Sequence, residues 1–157
     1  DDAETTHDFR VVRQFLRTQQ EKYRPLLEEK MLRLEFALDT PQRTIRADAD
    51  RLEQVLNNLL SNAIRYSFPG GRILLKVWLE GNSLHLSVTD HGEGIPADSI
   101  PYLWERFYRV DKSRSRHRGG TGLGLAVTKK LVEGMAGEIR VTSNPGVQTV
   151  FTVILPQ

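Results

Sequence analysis

Asn58 and Asn62 stand four residues apart, and Arg65 follows three residues later. At about 100° per residue, all three share one stripe of a helix. Two carboxamides and a cation aligned this way can hold a hydrated divalent ion and the oxygens of a phosphate chain. Mg2+ takes few protein ligands and keeps waters and phosphates, so one neutral Asn oxygen is sufficient. The competing interpretation is a solvated polar face. Asn is a mediocre helix former found mostly at caps, so a pair of them in mid-helix needs a reason.

A second candidate lies in SVTDHGEGIP, residues 87–96. Leu84, Leu86 and Val88 face one side of a strand, and Asp90 falls on that same side. A carboxylate aimed at a core is expensive unless donors satisfy it. An ionised Asp only accepts hydrogen bonds, and the exocyclic amine of adenine only donates them. Gly92 and Gly94 would let backbone pass close under a flat ring. A turn with an Asp cap explains the same residues without a ligand.

The third is GGTGLGLAVTKKL, from Gly119 to Leu131, a glycine run that passes straight into a helix-like pattern. Glycines allow close backbone approach, and the free N–H groups of a helix start favour an anion. The familiar phosphate loops do not fit. No Gly-Lys-Ser/Thr closes the run, and Leu125 stands where the third glycine of a dinucleotide fingerprint belongs. A flexible linker before a helix remains the alternative.

The elements that must position these residues follow from periodicity. Residues 8–30 read as a helix interrupted near Pro25. Residues 31–38 alternate as a strand, and 43–47 form a short second one. Residues 50–66 are the clearest helix, with Leu52, Val55, Leu56, Leu59 and Ala63 in one stripe. Strands at 73–79 and 84–90 are joined at Gly81-Asn82-Ser83. A loop region with short helical turns covers 91–118. A helix at 123–135 and strands at 138–142 and 148–155 complete the chain. Helices mixed with mostly antiparallel strands predict an α+β, two-layer sandwich.

Composition fits such a domain and excludes others. The chain has 157 residues, 39% hydrophobic and 27% charged, with a net charge of +2. That is one domain with a sizeable core. The charge is too small to argue for nucleic acid. A local cationic stretch does exist, with Arg106, Arg109, Lys112, Arg114, Arg116 and Arg118 against Glu105 and Asp111. It lacks the interleaved aromatics of a nucleic-acid surface beyond Phe107 and Tyr108. No cysteine is present, which excludes disulfides and thiolate metal sites and fits a reducing compartment. No apolar run approaches the ~20 residues of a membrane span, and no signal peptide is visible. The chain starts at Asp1 without Met and reads as a fragment or processed piece.

Four stretches together resemble the catalytic, ATP-binding domain of bacterial sensor histidine kinases, in the GHKL or Bergerat-type group. They are EQVLNNLLSNAIRYS (N box), DHGEGIP (G1 box), LWERFYRVDKSRS (F box) and GGTGLGLA (G2 box). Each alone is weak; the four in this order and spacing are specific. The resemblance covers roughly residues 8–156, leaving 1–7 as a tail or linker remnant before a domain at 8–157. It implies about three helices on a five-stranded, mixed, mostly antiparallel sheet, with ATP and Mg2+ as ligands.

By position, the resemblance makes Asn62 the Mg2+ ligand and puts Asn58 on the phosphate side. Arg65 stands where the family usually has Lys, and would meet phosphate as a forked donor. Tyr66 would lie against adenine, and Asp90 would accept its amine. Gly92, Gly94 and Ile95 would shape the pocket. Arg109 would reach the terminal phosphate. Residues 110–121 would form the ATP lid, with Gly120, Thr121, Gly122, Leu123 and Gly124 at its hinge and at the phosphates. His91 replaces a small polar residue, and Gln148 replaces a glycine commonly found before Thr-x-Phe.

In ATPases of the group and their serine-kinase relatives, the first N-box position is a glutamate that acts as base. Here it is Asn58, which takes no proton. This favours a protein-histidine kinase over an ATPase, with a non-catalytic nucleotide-binding regulatory module as the alternative from another class. Asn58 and Arg109 are then the residues at the reacting phosphate. His7-Asp8-Phe9-Arg10 looks like the start of a phosphoacceptor box, but Val11-Val12 replaces its Thr-Pro. Too few positions separate His7 from Asn58 for a two-helix hairpin as well. The resemblance therefore implies a separate dimerisation and histidine-phosphotransfer domain as partner and a response-regulator receiver domain downstream. It also implies a monomeric fragment and a cytoplasmic location, in a full-length protein anchored in the inner membrane.

Overall fold

The computed structural model describes residues 5–39, 44–106 and 124–157. Its elements in order are β1 (Thr5–His7), α1 (Phe9–Glu29), β2 (Arg33–Asp39), β3 (Ile45–Ala47) and α2 (Ala49–Tyr66). Then follow β4 (Arg72–Glu80), β5 (Ser83–Asp90), a 3-10 turn (Ile100–Tyr102), α3 (Gly124–Gly134), β6 (Glu138–Asn144) and β7 (Gln148–Pro156).

The main sheet has five strands in the order β2-β4-β5-β7-β6. Only β2 and β4 run parallel. A parallel pair needs a long crossover, and the chain between them supplies β3 and α2. Alternation decides which face is buried. Ile73, Leu75 and Val77 on β4, Leu84, Leu86 and Val88 on β5, and Phe151, Val153 and Leu155 on β7 are all at most 3% exposed. The helices cover that face: α1 lies by β2, α2 by β5 and α3 by β6, with α2 between the other two. On the other face Trp78 stacks on His85 with ring centroids 5.0 Å apart. Lys76 Nζ sits 4.9 Å over the Trp78 ring.

Asp48 caps α2 by accepting from the Arg51 N–H, and the helix buries Val55, Leu56, Leu59, Leu60, Ala63 and Ile64. Full burial of one such aliphatic side chain contributes about 1.5–3 kcal/mol, so this stripe fixes the helix on the sheet. Tyr23 joins α1 to α2 by donating to Asn57, 3.1 Å to its side-chain oxygen.

Two features differ from the sequence-based expectation. α1 runs unbroken through Pro25, because Tyr23 and Leu27, on either side of that residue, are both buried and hold the helix down. Thr5–His7, inside the stretch read as a tail, forms β1 and pairs antiparallel with β3. Both α1 and α3 end without a glycine in the left-handed position. Met31 (φ 57°) and Ala136 (φ 59°) take that place, and Leu32 N–H returns to the Leu27 carbonyl as Gly137 N–H does to that of Val132. Among the described residues, no helix is long and apolar enough to cross a membrane.

Candidate functional site

The buried face of β5 reads Leu84, Leu86, Val88, Asp90, and Asp90 is 5% exposed. Burial pushes its carboxyl up to about 7, against the opposing influence of His91 and Lys30. Thr149 is directly across on β7 and is also buried. Its hydroxyl is 2.8 Å from that of Ser143, which in turn accepts from the Ile95 N–H. A carboxylate and a hydroxyl thus close an otherwise apolar face, and a short chain of hydrogen bonds ties the Thr149 hydroxyl to the loop after β5.

That loop is docked onto the end of α2. Ser67 and Gly92 form an isolated antiparallel bridge, and Phe68 N–H donates to the His91 carbonyl. His91 Nδ1 lies 3.1 Å from the Arg72 carbonyl, so that nitrogen carries the proton. A Cβ on Gly92 would fall 1.9 Å from the Tyr66 carbonyl oxygen. Gly94 has φ +80°, and a Cβ there would meet Pro145 at 2.6 Å. Both glycines are therefore required by the protein's own backbone, a different reason from the flat ring that their spacing suggested. Tyr66, next to Ser67 of that bridge, and Ile95, next to Gly94, are both partly buried.

Asn58, Asn62 and Arg65 lie along α2 on one stripe, each partly exposed. From Tyr66 back to Asn58 the helix rises roughly 12 Å. At the far end Asn58 Nδ2 donates to Thr128 Oγ1 (3.0 Å) and lies 3.5 Å from the Gly124 carbonyl. Thr128 Oγ1 itself donates to Gly124 O at 2.6 Å. With the hydroxyl proton used there, Thr128 can only accept from Asn58, which sets the carboxamide with its nitrogen toward α3. Gly124 opens α3. The stripe therefore runs from the end of α2, which meets the loop after Asp90 at the Ser67–Gly92 bridge, to the N-terminus of a helix, whose N–H groups favour an anion.

Arg109, Gly120, Thr121, Gly122 and Leu123 lie outside the described residues, as do residues 110–121 expected to form a lid. The start of the F-box stretch is placed: Leu103 is buried, and Trp104 meets Phe151 edge-on at 6.1 Å. His7 pairs with Ile45 within β1 and β3, immediately before α1. Among the described residues, no group of three or more His, Asp or Glu side chains is arranged to hold a metal ion. A divalent cation would thus depend on amide oxygens and on the ligand's own phosphates, which suits Mg2+.

Sequence reasoning missed Thr149, Thr128 and Lys30. Thr149 was within reach, since aligning the last hairpin with β5 puts it opposite Asp90. Thr128 lies one helical turn past Gly124. Nothing local pointed to Lys30, whose Nζ contacts are 34 to 37 residues away.

Residues 47–157 match the family profile described as histidine kinase-, DNA gyrase B-, and HSP90-like ATPase. The chain is 44% identical over 148 residues to the circadian input-output histidine kinase CikA of Synechococcus elongatus, covering 94% of this chain and 19% of that protein. It is 42% identical over 127 residues to the sensor histidine kinase WalK of Bacillus subtilis, covering 78% of this chain and 21% of that one. It thus spans about a fifth of these curated relatives. Among solved structures it resembles full-length ShkA in complex with AMPPNP. That match has a TM-score of 0.82 and 30% identity, and covers 98% of this chain and 31% of the other.

Proposed function

The chain belongs to the family of histidine kinase-, DNA gyrase B- and HSP90-like ATPases, and on that premise we propose that it binds Mg-ATP and transfers the γ-phosphate to a histidine on a separate dimerisation and phosphoacceptor domain. The observation that carries this reading is the α2 stripe: it joins a buried carboxylate at one end to a helix N-terminus at the other, with amides and a cation between. Similarity to proteins named histidine kinases supports the kinase over a hydrolase. Similarity to a structure holding AMPPNP supports the nucleotide.

In this reading Asp90 accepts from the adenine amine, and Tyr66 and Ile95 flank the ring. Asn62 holds the metal, Asn58 orients the phosphates with its amide fixed by Thr128, and Arg65 meets phosphate oxygens. Bound Mg2+ would neutralise charge on the phosphate chain. Gly120, Thr121, Gly122, Leu123 and Gly124 would wrap the phosphates, residues 110–121 would cover them, and Arg109 would approach the terminal one. An imidazole nitrogen of the partner domain attacks the γ-phosphorus, the bond from that phosphorus to the bridging oxygen breaks, and ADP departs. The protein's part in such a transfer is positioning and charge stabilisation. Asn58 offers no base to activate water, and an imidazole with a free lone pair needs none. The receiver domain of a response regulator would then accept the phosphoryl group.

The test uses ATP labelled at the γ-phosphate, with Mg2+, and the chain alone or with a phosphoacceptor hairpin supplied separately. Acid-labile, base-stable label on the hairpin, with little free phosphate from the chain alone, is expected. Rapid free phosphate without an acceptor would move the reading to an ATPase.

A further inference from the structure

Lys30 belongs to none of the motifs, yet it meets the nucleotide stripe from below. It is the residue that ends α1. Its Nζ donates to the carbonyls of Ile64 (2.7 Å), Arg65 (3.1 Å) and Ser67 (2.8 Å). An ammonium has three donors, and three carbonyls of the α2 terminus meet it. A helix end leaves its last carbonyls without intrahelical partners, and a cation there also meets the negative end of the helix dipole. The backbone of Lys30 holds the next turn as well, since Gly70 N–H donates to its carbonyl. One residue therefore grips both sides of the bend where Tyr66 and Ser67 press against Gly92.

We infer that Lys30 is a positioning residue of the adenine pocket: it locks the bend that carries Tyr66 and Gly92, and it supplies positive charge beside Asp90. The inference rests on the assignment of Asp90 to adenine. Two charged groups act on Asp90, Lys30 from the end of α1 and His91 next to it in sequence, and both oppose the effect of burial. The end of α2 adds Arg65 and Tyr66, and β4 adds Arg72 at its start. On β7 the partner is the uncharged Thr149. Of these groups, Lys30 is the one that bonds three carbonyls at the end of α2. Without it, Asp90 would hold its proton to higher pH and cease to accept from the adenine amine.

The test compares Lys30→Met, Lys30→Gln and Lys30→Arg with Asp90→Asn in the whole chain. ATP affinity is measured by calorimetry from pH 6 to 9, and inorganic tripolyphosphate serves as a ligand without a base. The unaltered chain should lose ATP affinity as pH falls through about 7, the value at which Asp90 protonates. Lys30→Met and Lys30→Gln should move that midpoint up and weaken ATP about two- to fivefold at pH 7. Tripolyphosphate binding should stay unchanged, and Lys30→Arg should return the midpoint toward its starting value. Gln keeps hydrogen-bond donors for the carbonyls, so it reads the charge even if the Met variant folds poorly. An unmoved midpoint in the Met and Gln variants, with Asp90→Asn losing ATP, would overturn the role of Lys30. So would an equal loss of tripolyphosphate. If Asp90→Asn binds ATP as well as the unaltered chain, the adenine assignment itself fails and the inference falls with it.

Discussion

Asp90 and Thr149 face each other across β5 and β7 as the polar last pair of a face that is otherwise Leu, Val and Phe. The carboxyl is buried deeply enough to raise its pKa from 3.8 to about 7. A group whose folded pKa lies above its unfolded value binds its proton more tightly when folded. Its stabilisation is complete below the unfolded value and is lost as pH rises through the folded one. For Asp90 that loss runs from about pH 4 to about pH 7. Asp90→Asn should therefore make the free protein more stable at pH 8 by roughly 2–4 kcal/mol, with the gain shrinking toward pH 4, while ATP binding is lost. Urea unfolding across that range, beside calorimetric titration with ATP, checks both halves.

Asn62→Ala should separate the metal from the base. Asn62 is partly exposed on α2, so the fold should change by less than about 1 kcal/mol. Mg2+-dependent ATP affinity should fall at least about tenfold, while adenosine binding stays as before. Titrations with and without Mg2+ give the comparison.

Gly92→Ala tests the docking of the loop on α2. The new methyl would stand 1.9 Å from the Tyr66 carbonyl oxygen, which is backbone and cannot turn aside. A loss of about 3 kcal/mol or more is expected, together with loss of ATP binding. Gly146→Ala makes the contrast, since a Cβ there meets nothing within 4 Å but φ is +82°. It should destabilise by only about 1–2 kcal/mol and leave ATP affinity unchanged.

Met31→Gly and Ala136→Gly should each stabilise the protein by about 0.5–1 kcal/mol. Both residues hold a left-handed conformation at a helix end, with φ of 57° and 59°. Thermal unfolding of the single and double variants should show additive gains, because the sites lie on different helices.

Tyr23→Phe removes a hydroxyl that reaches the Asn57 carbonyl and side chain. Burial raises the pKa of this phenol, and the neighbouring Glu53 adds to the effect, so it stays a donor throughout the neutral range. A loss of about 1 kcal/mol is expected, with no change in ATP affinity, as measured by urea unfolding and calorimetry.

Regular periodicity made the frame readable. The stripe from Leu52 to Ala63 and the alternation ending at Asp90 are local patterns, and each matched an observed element. What escaped was set by contacts between distant segments. Pro25 suggested a break because local rules disfavour it, but packing of Tyr23 and Leu27 overrides them. The strand at Ile45–Ala47 was legible, but its partner Thr5–His7 has three residues, too brief for alternation to show. Gly92 and Gly94 were noticed for their type, yet the atoms that demand glycine are in Tyr66 and Pro145. Lys30 reads as an ordinary surface lysine until α2 is folded onto it.

β5 is the middle strand of the five, with hydrogen-bonded neighbours on both sides. Amide protons on such a strand exchange only when the whole domain opens, whereas helix ends and loops exchange through small local openings. The carboxylate proposed to recognise the base thus rides on the slowest-breathing part of the molecule. A nucleotide bound there would come and go over a floor that keeps its shape.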